Sequence, residues 1–310
     1  MNRIPKNTGW RKKSNLVDSD TKDGSNSSKR STTEAVSGLY IVSTPIGNLA
    51  DISQRAVQVL NAVDLIACED TRVTAKLTRA HGISTRMIAY HDHSAVAVRN
   101  SLLEILRNGE AVALVSDAGT PLISDPGFKL VGAALDANIP VSATPGPTSP
   151  IMALVLSGLP TDRFFFGGYL PIRKKAQTDL LSELTDLSAT LIFLESSKRL
   201  EQTLRNMLEV FGDRPIAIAR ELTKIYEEVR RGTLSDLLAD LKDKPNLKGE
   251  IIIVVGQAGP CLINIEAIDA LLETYLENMT VKDSVAAVVA ETRASRKLVY
   301  TRALKVAGPS

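Results

Sequence analysis

The sequence predicts an α/β protein of two successive lobes, a parallel-rich sheet first and a mixed sheet second. Two observations carry this. Four short apolar runs, at 39–42, 63–67, 111–115 and 140–143, each close on a loop rich in Pro, Gly, Asp or Thr and lead into helical periodicity. They recur roughly every 25–50 residues, as parallel strands joined by crossover helices require. Beyond residue 157 the pattern changes to longer β-type runs separated by charged turns, which a mixed, partly antiparallel sheet produces. Composition agrees. The chain has 310 residues, 44% of them hydrophobic and 23% charged, ordinary for a globular protein with room for two cores. No run of about eighteen apolar residues occurs, so no membrane helix is expected.

The expected divisions are a polar tail over 1–37, an N-terminal α/β domain over 38–157, a C-terminal α/β domain over 158–258 and a small helical appendage over 259–310. The tail is rich in Ser, Asn, Thr, Lys and Asp, lacks apolar periodicity and is expected to be disordered. It has no apolar core of a secretory signal. The net charge of +2 misleads if read globally. The first 36 residues hold eight Lys/Arg and four Asp/Glu, which leaves the remainder at −2. Nucleic-acid binding would therefore depend on local clusters rather than on a basic coat. Cys68 and Cys261 stand far apart with no CxxC, which fits a reducing cytoplasm and no structural zinc.

The first strand runs over 39–42 and ends in STPIGNLADIS. Pro45, Gly47 and Asn48 break it, and Asp51 or Ser53 caps the next helix, which extends to Leu60. The loop has neither GxGxxG nor GxxxxGK[ST], so no dinucleotide fingerprint and no P-loop is present. The strand at 63–67 closes on CEDTR. Its adjacent carboxylates, Glu69 and Asp70, need solvent, a helix N-terminus or a ligand; Asp70 or Thr71 as the cap of a helix over 73–81 serves equally well. In MIAYHDHS, His91, Asp92 and His93 face a metal with too few partners, the only other histidine being His81. A polar, substrate-facing loop is the expectation there, and no metal site. A helix over 102–107 stops at Asn108-Gly109.

Residues 111–115 form a buried strand that leads into VSDAGTPLISDPG at 115–127, followed by a helix over 128–137. This thirteen-residue loop is too long and too rich in Gly, Pro and Asp for a plain connection. Gly119 and Gly127 permit close backbone approach, and Asp117 and Asp125 can cap amides or accept from a ligand hydroxyl. The strand at 140–143 ends in TPGPTSP before a helix over 151–157, stopped by Gly158. Four such loops on one sheet edge describe one site better than four independent turns, because open α/β sheets bind ligands at the carboxyl ends of their strands.

The second lobe opens with RFFFGGYLP, where at least two of Phe164, Phe165 and Phe166 are expected in the core. Arg173, Lys174 and Lys175 precede a helix over 177–187. TLIFLESSKR, RPIAIARELTK, EVRRGT and GEIIIVVG supply further strands. The last fifty residues read as helices, with Arg293, Arg296, Lys297, Arg302 and Lys305 near their end.

TPIGNLADIS, EDTR, YHDH, VSDAGTPLISDPG, PGP, FFGGYLP, ES..R, ARELTK, RGTL and GEIIIVV stand in the order and spacing of one family. Over about residues 38–306 the sequence resembles the ribosomal RNA small subunit methyltransferase I family, within the tetrapyrrole methylase superfamily. The resemblance implies two α/β domains with an S-adenosyl-L-methionine cleft between them. It implies 2′-O-methylation of a cytidine ribose in the decoding region of 16S rRNA, by a cytoplasmic homodimer acting on 16S rRNA or the 30S subunit. Matching the motifs places the cofactor at Pro45, Val115, Ser116, Asp117, Thr120, Thr148, Ser149, Glu195 and Leu222. A weakly acidic ribose hydroxyl needs a base or orienting acceptor; candidates are Glu69, Asp70, Asp92, Glu221 and Lys224, the last only if burial lowers its pKa. RNA contacts are expected from Arg173, Lys174, Lys175, Lys198, Arg199 and Arg220. The family commonly has His where Lys198 stands. Two alternatives compete: a methyltransferase acting on a tetrapyrrole or other small molecule, and a non-enzymatic ribosome-binding module.

Overall fold

Five strands make the first sheet: β1 (Gly38–Val42), β2 (Leu65–Cys68), β3 (Met87–Ala89), β4 (Ala111–Val115) and β5 (Val141–Thr144). They lie in the order β3-β2-β4-β1-β5, every pair parallel. The structure is a computed structural model and describes residues 35–91, 96–243, 248–257, 265–292 and 296–307. Helices α1 (Gln54–Ala62), α2 (Thr71–Ala80), α3 (Val96–Arg107) and α4 (Phe128–Asp136) make the crossovers. All residues of β2 and β4 are buried, as central strands covered on both faces must be. Alternation divides them: Leu65, Ala67, Val112 and Leu114 pack under α3 and α4, and Ile66, Cys68, Ala113 and Val115 pack under α1. The registers Cys68 with Val115, Ile41 with Leu114 and Val42 with Thr144 bring the carboxyl ends of β1, β2, β4 and β5 level.

The capping chemistry resolves several alternatives. Ser53, not Asp51, caps α1 by accepting from the Ala56 amide at 3.1 Å; Asp51 sits in a 3-10 turn capped by Asn48. Asp70 caps α2 and accepts from the Arg72 amide at 2.8 Å. Neither Asp117 nor Asp125 caps α4, whose N-cap is Gly127 at φ 131°. Helix α3 begins at Val96, a turn and a half before the expected start, because AVAVRNS carries too little periodicity to announce it.

The second sheet contains β6 (Phe164–Tyr169), β7 (Thr190–Ser196), β8 (Pro215–Arg220), β9 (Glu228–Thr233) and β10 (Glu250–Val255), in the order β6-β7-β10-β8-β9. Only β6 and β7 are parallel; the remaining pairs are antiparallel. One face is covered by α6 (Lys174–Leu184), α7 (Leu200–Phe211) and α8 (Leu234–Asp243). The other face is covered by α5 (Ser149–Ser157), the helix that follows the last strand of the first sheet. Its Ala153 and Leu154 pack with Ile192, Ala217, Ala219, Ile252 and Val254, and Ile46 from the β1 loop joins them. The result is a two-domain α/β fold in which α5 and the β1 loop join the parallel sheet to the mixed one. Phe165 and Phe166 pack against the two cores while Phe164 is exposed. Helices α9 (Ile265–Leu276), α10 (Val281–Thr292) and α11 (Arg296–Val306) have a small core of their own.

Candidate functional site

The strand breakers of the β1 loop let it fold back over its neighbours. Thr44 and Gly119 exchange backbone hydrogen bonds at 2.8 and 3.1 Å, which pins the β1 loop to the β4 loop. The Ser43 and Thr120 hydroxyls meet at 2.9 Å, and Thr120 donates to the Pro147 carbonyl at 3.1 Å, bringing in the β5 loop. Asp117 accepts from the Asp70 amide at 3.0 Å, bringing in the β2 loop. The four loops are therefore one bonded unit. Gly119, at φ 82°, allows the turn that makes this possible.

The second sheet meets this unit through the turn after β8. Glu221 and Thr223 have φ of 49° and 63°, a left-handed conformation rare for such residues and held here by surrounding bonds. The Glu221 carboxylate accepts from the Glu250 amide and from Lys224, both at 2.9 Å, and Lys224 also pairs with Glu250 at 3.2 Å. Gly47 lies so close that a Cβ there would stand 2.5 Å from Lys224 Cγ and 2.9 Å from the Leu222 carbonyl.

Two adjoining cavities lie between the loops and the second sheet. The first, about 320 Å³, has apolar walls from Ile46, Leu194, Ala219, Leu222 and Ile252, and polar ones from Ser124, Asp125, Ser149 and Tyr169. The second, about 450 Å³, is lined by Pro45, Ser116 and Asp117 and by the lysines Lys76 and Lys224. Ile46, Ala118 and Glu250 border both.

Pro45, Ser116, Asp117, Ser149, Glu195 and Leu222 thus reach one cavity or the other. Val115 is core, Thr120 ties loops together and Thr148 is the N-cap of α5. The Glu195 side chain points away from any ligand. It is fully buried, pairs with Arg199 at 2.8 Å and accepts from Thr203 at 2.7 Å. Only the main chain of Glu195 is left to meet a cofactor. A polar network extends inward from it, Thr203 to Gln177 to Asn206 to Thr178, which sequence reasoning missed because those residues look like ordinary helix surface.

Among the expected bases, three are held by neighbouring groups. Asp70 is held down at about 2 by hydrogen bonds from Arg72, so it is a poor proton acceptor. Glu221 is lowered, first by the Glu250 amide. Burial alone would lower Lys224, but Glu221 and Glu250 outweigh it and raise the ammonium, so the lysine is a fixed cation rather than a base. Asp92 lies outside the described residues. Glu69 is raised by burial and by the nearby Asp117 charge, and Asp117 is itself raised by burial. Asp125, expected as an amide cap or a ligand acceptor of the β4 loop and not as a base or cofactor contact, is raised to about 6 by burial, against the pull of the Ser116 hydroxyl. Its signal was present, an Asp-Pro-Gly beside a second Asp in one loop, but nothing local said which carboxylate faces inward.

For RNA, Arg173, Lys175 and Lys198 are exposed, and Lys174 pairs at the surface with Glu209 at 3.0 Å. They follow directly on Tyr169 and Ser196, which line the smaller cavity. Arg199 is engaged within the chain: its guanidinium is bound to Glu195 and to the Leu170 carbonyl. Arg220 is largely committed too, to Glu228 and the Lys248 carbonyl. Cys68 is buried, with its thiol pushed up by that burial, and Cys261 lies outside the described residues. Among the described residues no group of His, Cys, Asp and Glu is arranged to hold a metal, and no helix is long and apolar enough to cross a membrane.

Residues 38–238 match the family described as Tetrapyrrole (Corrin/Porphyrin) Methylases. The chain is 44% identical over 269 residues to ribosomal RNA small subunit methyltransferase I of Mesorhizobium japonicum, covering 86% of this chain and 92% of that protein. It is 48% identical over 219 residues to the protein of the same name from Escherichia coli O157:H7, covering 70% and 77%. Among solved structures, a cobalt precorrin-4 methyltransferase of cobalamin biosynthesis superposes with a TM-score of 0.54 at 17% identity, over 72% of this chain and 96% of that one. At that identity the likeness is one of fold.

Proposed function

Because the chain belongs to the tetrapyrrole methylase family, and within it to the ribosomal RNA small subunit methyltransferase I family, we infer that it methylates the 2′-hydroxyl of a cytidine ribose in 16S rRNA. The observation that carries this reading is the 44% identity maintained over 92% of a relative's length. S-adenosylmethionine is the methyl donor, and when bound it supplies an electrophilic methyl on a sulfonium. The chain's own groups fit it. The smaller cavity offers an aliphatic slot for a purine and a polar end with hydroxyls and a carboxylate for an amino-acid arm.

The larger cavity takes the RNA ribose. Lys224 and Lys76 there face a phosphate or hydroxyl. Asp117 lines this cavity, and Glu69, raised by burial and by the Asp117 charge, is the neighbouring carboxyl that we assign to orient the hydroxyl and take its proton. The loops exclude water and hold the two partners in line, which is most of what a displacement at carbon needs. Residues 38–157 and 158–258 form the two lobes, and the target lies in the decoding region. The protein acts in the cytoplasm on the 30S subunit as a homodimer. The apolar Ile151, Met152 and Val155 left exposed on α5 support the dimer, and a single-chain mass by sedimentation would remove it.

Mass-spectrometric mapping of ribose methylation in 16S rRNA, from cells with and without the protein, tests the reading. One decoding-region cytidine is expected to lose its 2′-O-methyl in the absence of the protein. An unchanged map, together with transfer of labelled methyl to a porphyrinogen, would favour the small-molecule alternative.

A further inference from the structure

We propose that Asp125 receives the ammonium of the donor's amino-acid arm and so sets the direction in which the donor lies. The inference rests on the methyl-donor reading above and adds to it a residue and an orientation.

The smaller cavity is asymmetric. Leu194, Ala219, Leu222 and Ile252, all carried by the second sheet or the turn after β8, form one apolar wall. The loop after β4 and the start of α5 contribute the polar Ser124, Asp125 and Ser149 beside Ala118 and Ile123. A ligand with a flat purine at one end and a charged arm at the other enters in one sense only: burying the arm against the aliphatic wall would leave an ion unsolvated.

Three acidic residues border this cavity: Asp125, Glu250 and, through its main chain only, Glu195. Glu195 is bonded to Arg199, and Glu250 to Lys224. Among the described residues no lysine or arginine forms an ion pair with Asp125, and the charges that act on it, Glu69 and Asp117, are both negative. It is the one carboxylate at the cavity still lacking a cation. The backbone presents it there at a cost. Leu122 and Ser124 adopt left-handed φ of 74° and 63°, a strain that persists only where the surroundings impose it. The arm's ammonium would supply the missing cation, and the rest of the donor would then be left to the aliphatic residues of the cavity.

Calorimetry with two ligands tests this. S-adenosylhomocysteine has the amino-acid arm; 5′-methylthioadenosine keeps the adenosine and thioether without it. Asp125→Asn is expected to weaken S-adenosylhomocysteine at least tenfold and to leave methylthioadenosine within about twofold, the loss of one charge-assisted bond. Binding of methylthioadenosine also certifies that the variant is folded. Wild-type affinity for S-adenosylhomocysteine is expected to fall as pH drops through about 6, where Asp125 takes up a proton, and to stay flat in the variant. Glu69, Asp117, Tyr169, Glu195 and Glu250 also face this region, and the variant retains all of them. Weakening of both ligands alike, or of neither, would overturn the inference alone. No binding of S-adenosylhomocysteine to the wild type would overturn the donor reading with it.

Discussion

Asp125 is ionised at neutral pH in a place that disfavours its charge, and that has a consequence for stability without any ligand. An aspartate in an unfolded chain titrates near 3.9, whereas in the folded protein burial, Glu69 and Asp117 raise this one to about 6. Folding therefore favours the protonated form. The stability this contributes is complete below the unfolded value and is lost as pH rises through about 6. Above that, the carboxylate costs about 1 kcal/mol, after allowance for a side chain still partly in contact with water. Asp125→Asn is expected to raise the melting temperature of the ligand-free protein by about 2 °C at pH 7.5, with the gain gone by pH 4. Melting curves across that range check it; a gain independent of pH would trace it to something other than the charge. Legibility at this scale is uneven for the same reason. Pro45, Ser116, Asp117 and Ser149 could be placed in one site because a motif fixed their loops. The direction of a carboxylate could not, because Asp70, Glu195 and Asp125 are separated by partners that no single motif contains: Arg72 and the head of α2, Thr203 on α7, and Ser116 at the end of β4.

At the scale of elements, the site depends on how closely the β1 loop and the turn after β8 approach. Gly47 is where that distance is set. A methyl group there meets the Leu222 backbone carbonyl at 2.9 Å as well as the movable Lys224 and Thr223 side chains, so the lysine alone cannot relieve it. Gly47→Ala is expected to push the loops apart, costing about 1–3 kcal/mol in stability and weakening donor binding and methyl transfer together. Denaturant unfolding and calorimetry on the same variant check it; full stability with full affinity would mean that the loops yield freely. The strands that carry these loops were legible because each is a short apolar run bounded by breakers, and parallel pairing follows from the helices between them. The starts of α3 and α6 were not, since Ala, Val, Lys and Gln carry little periodic signal. Nor was the placement of α5. It is apolar on nearly every side, so no stripe revealed that it belongs under the second sheet rather than the first.

Over the whole molecule, charge is distributed so that RNA affinity must be local. Outside the first 36 residues the chain is net −2, so it has no general attraction for a phosphate backbone. Exposed cations instead lie just beyond the parallel pair β6 and β7, near residues of the smaller cavity: Arg173 and Lys175 at the head of α6 after one strand, Lys198 in the turn after the other. Arg199 is adjacent in sequence yet belongs to a different class, because it neutralises a fully buried Glu195. Replacing Arg173, Lys175 and Lys198 together with Ala is expected to weaken binding of small-subunit RNA and to flatten its salt dependence. Every phosphate that is no longer neutralised takes about 0.7–0.9 off the slope of log affinity against log salt, or about 2–3 for the three. Melting temperature and donor affinity are expected to hold. Arg199→Ala should do the reverse, costing about 3 kcal/mol of stability by stranding a buried carboxylate and changing the salt slope little. Filter-binding titrations over a range of salt, paired with melting curves, separate the two. A triple variant with an unchanged slope would show that the RNA lies elsewhere, and an Arg199→Ala protein of normal stability but reduced slope would return that guanidinium to the RNA.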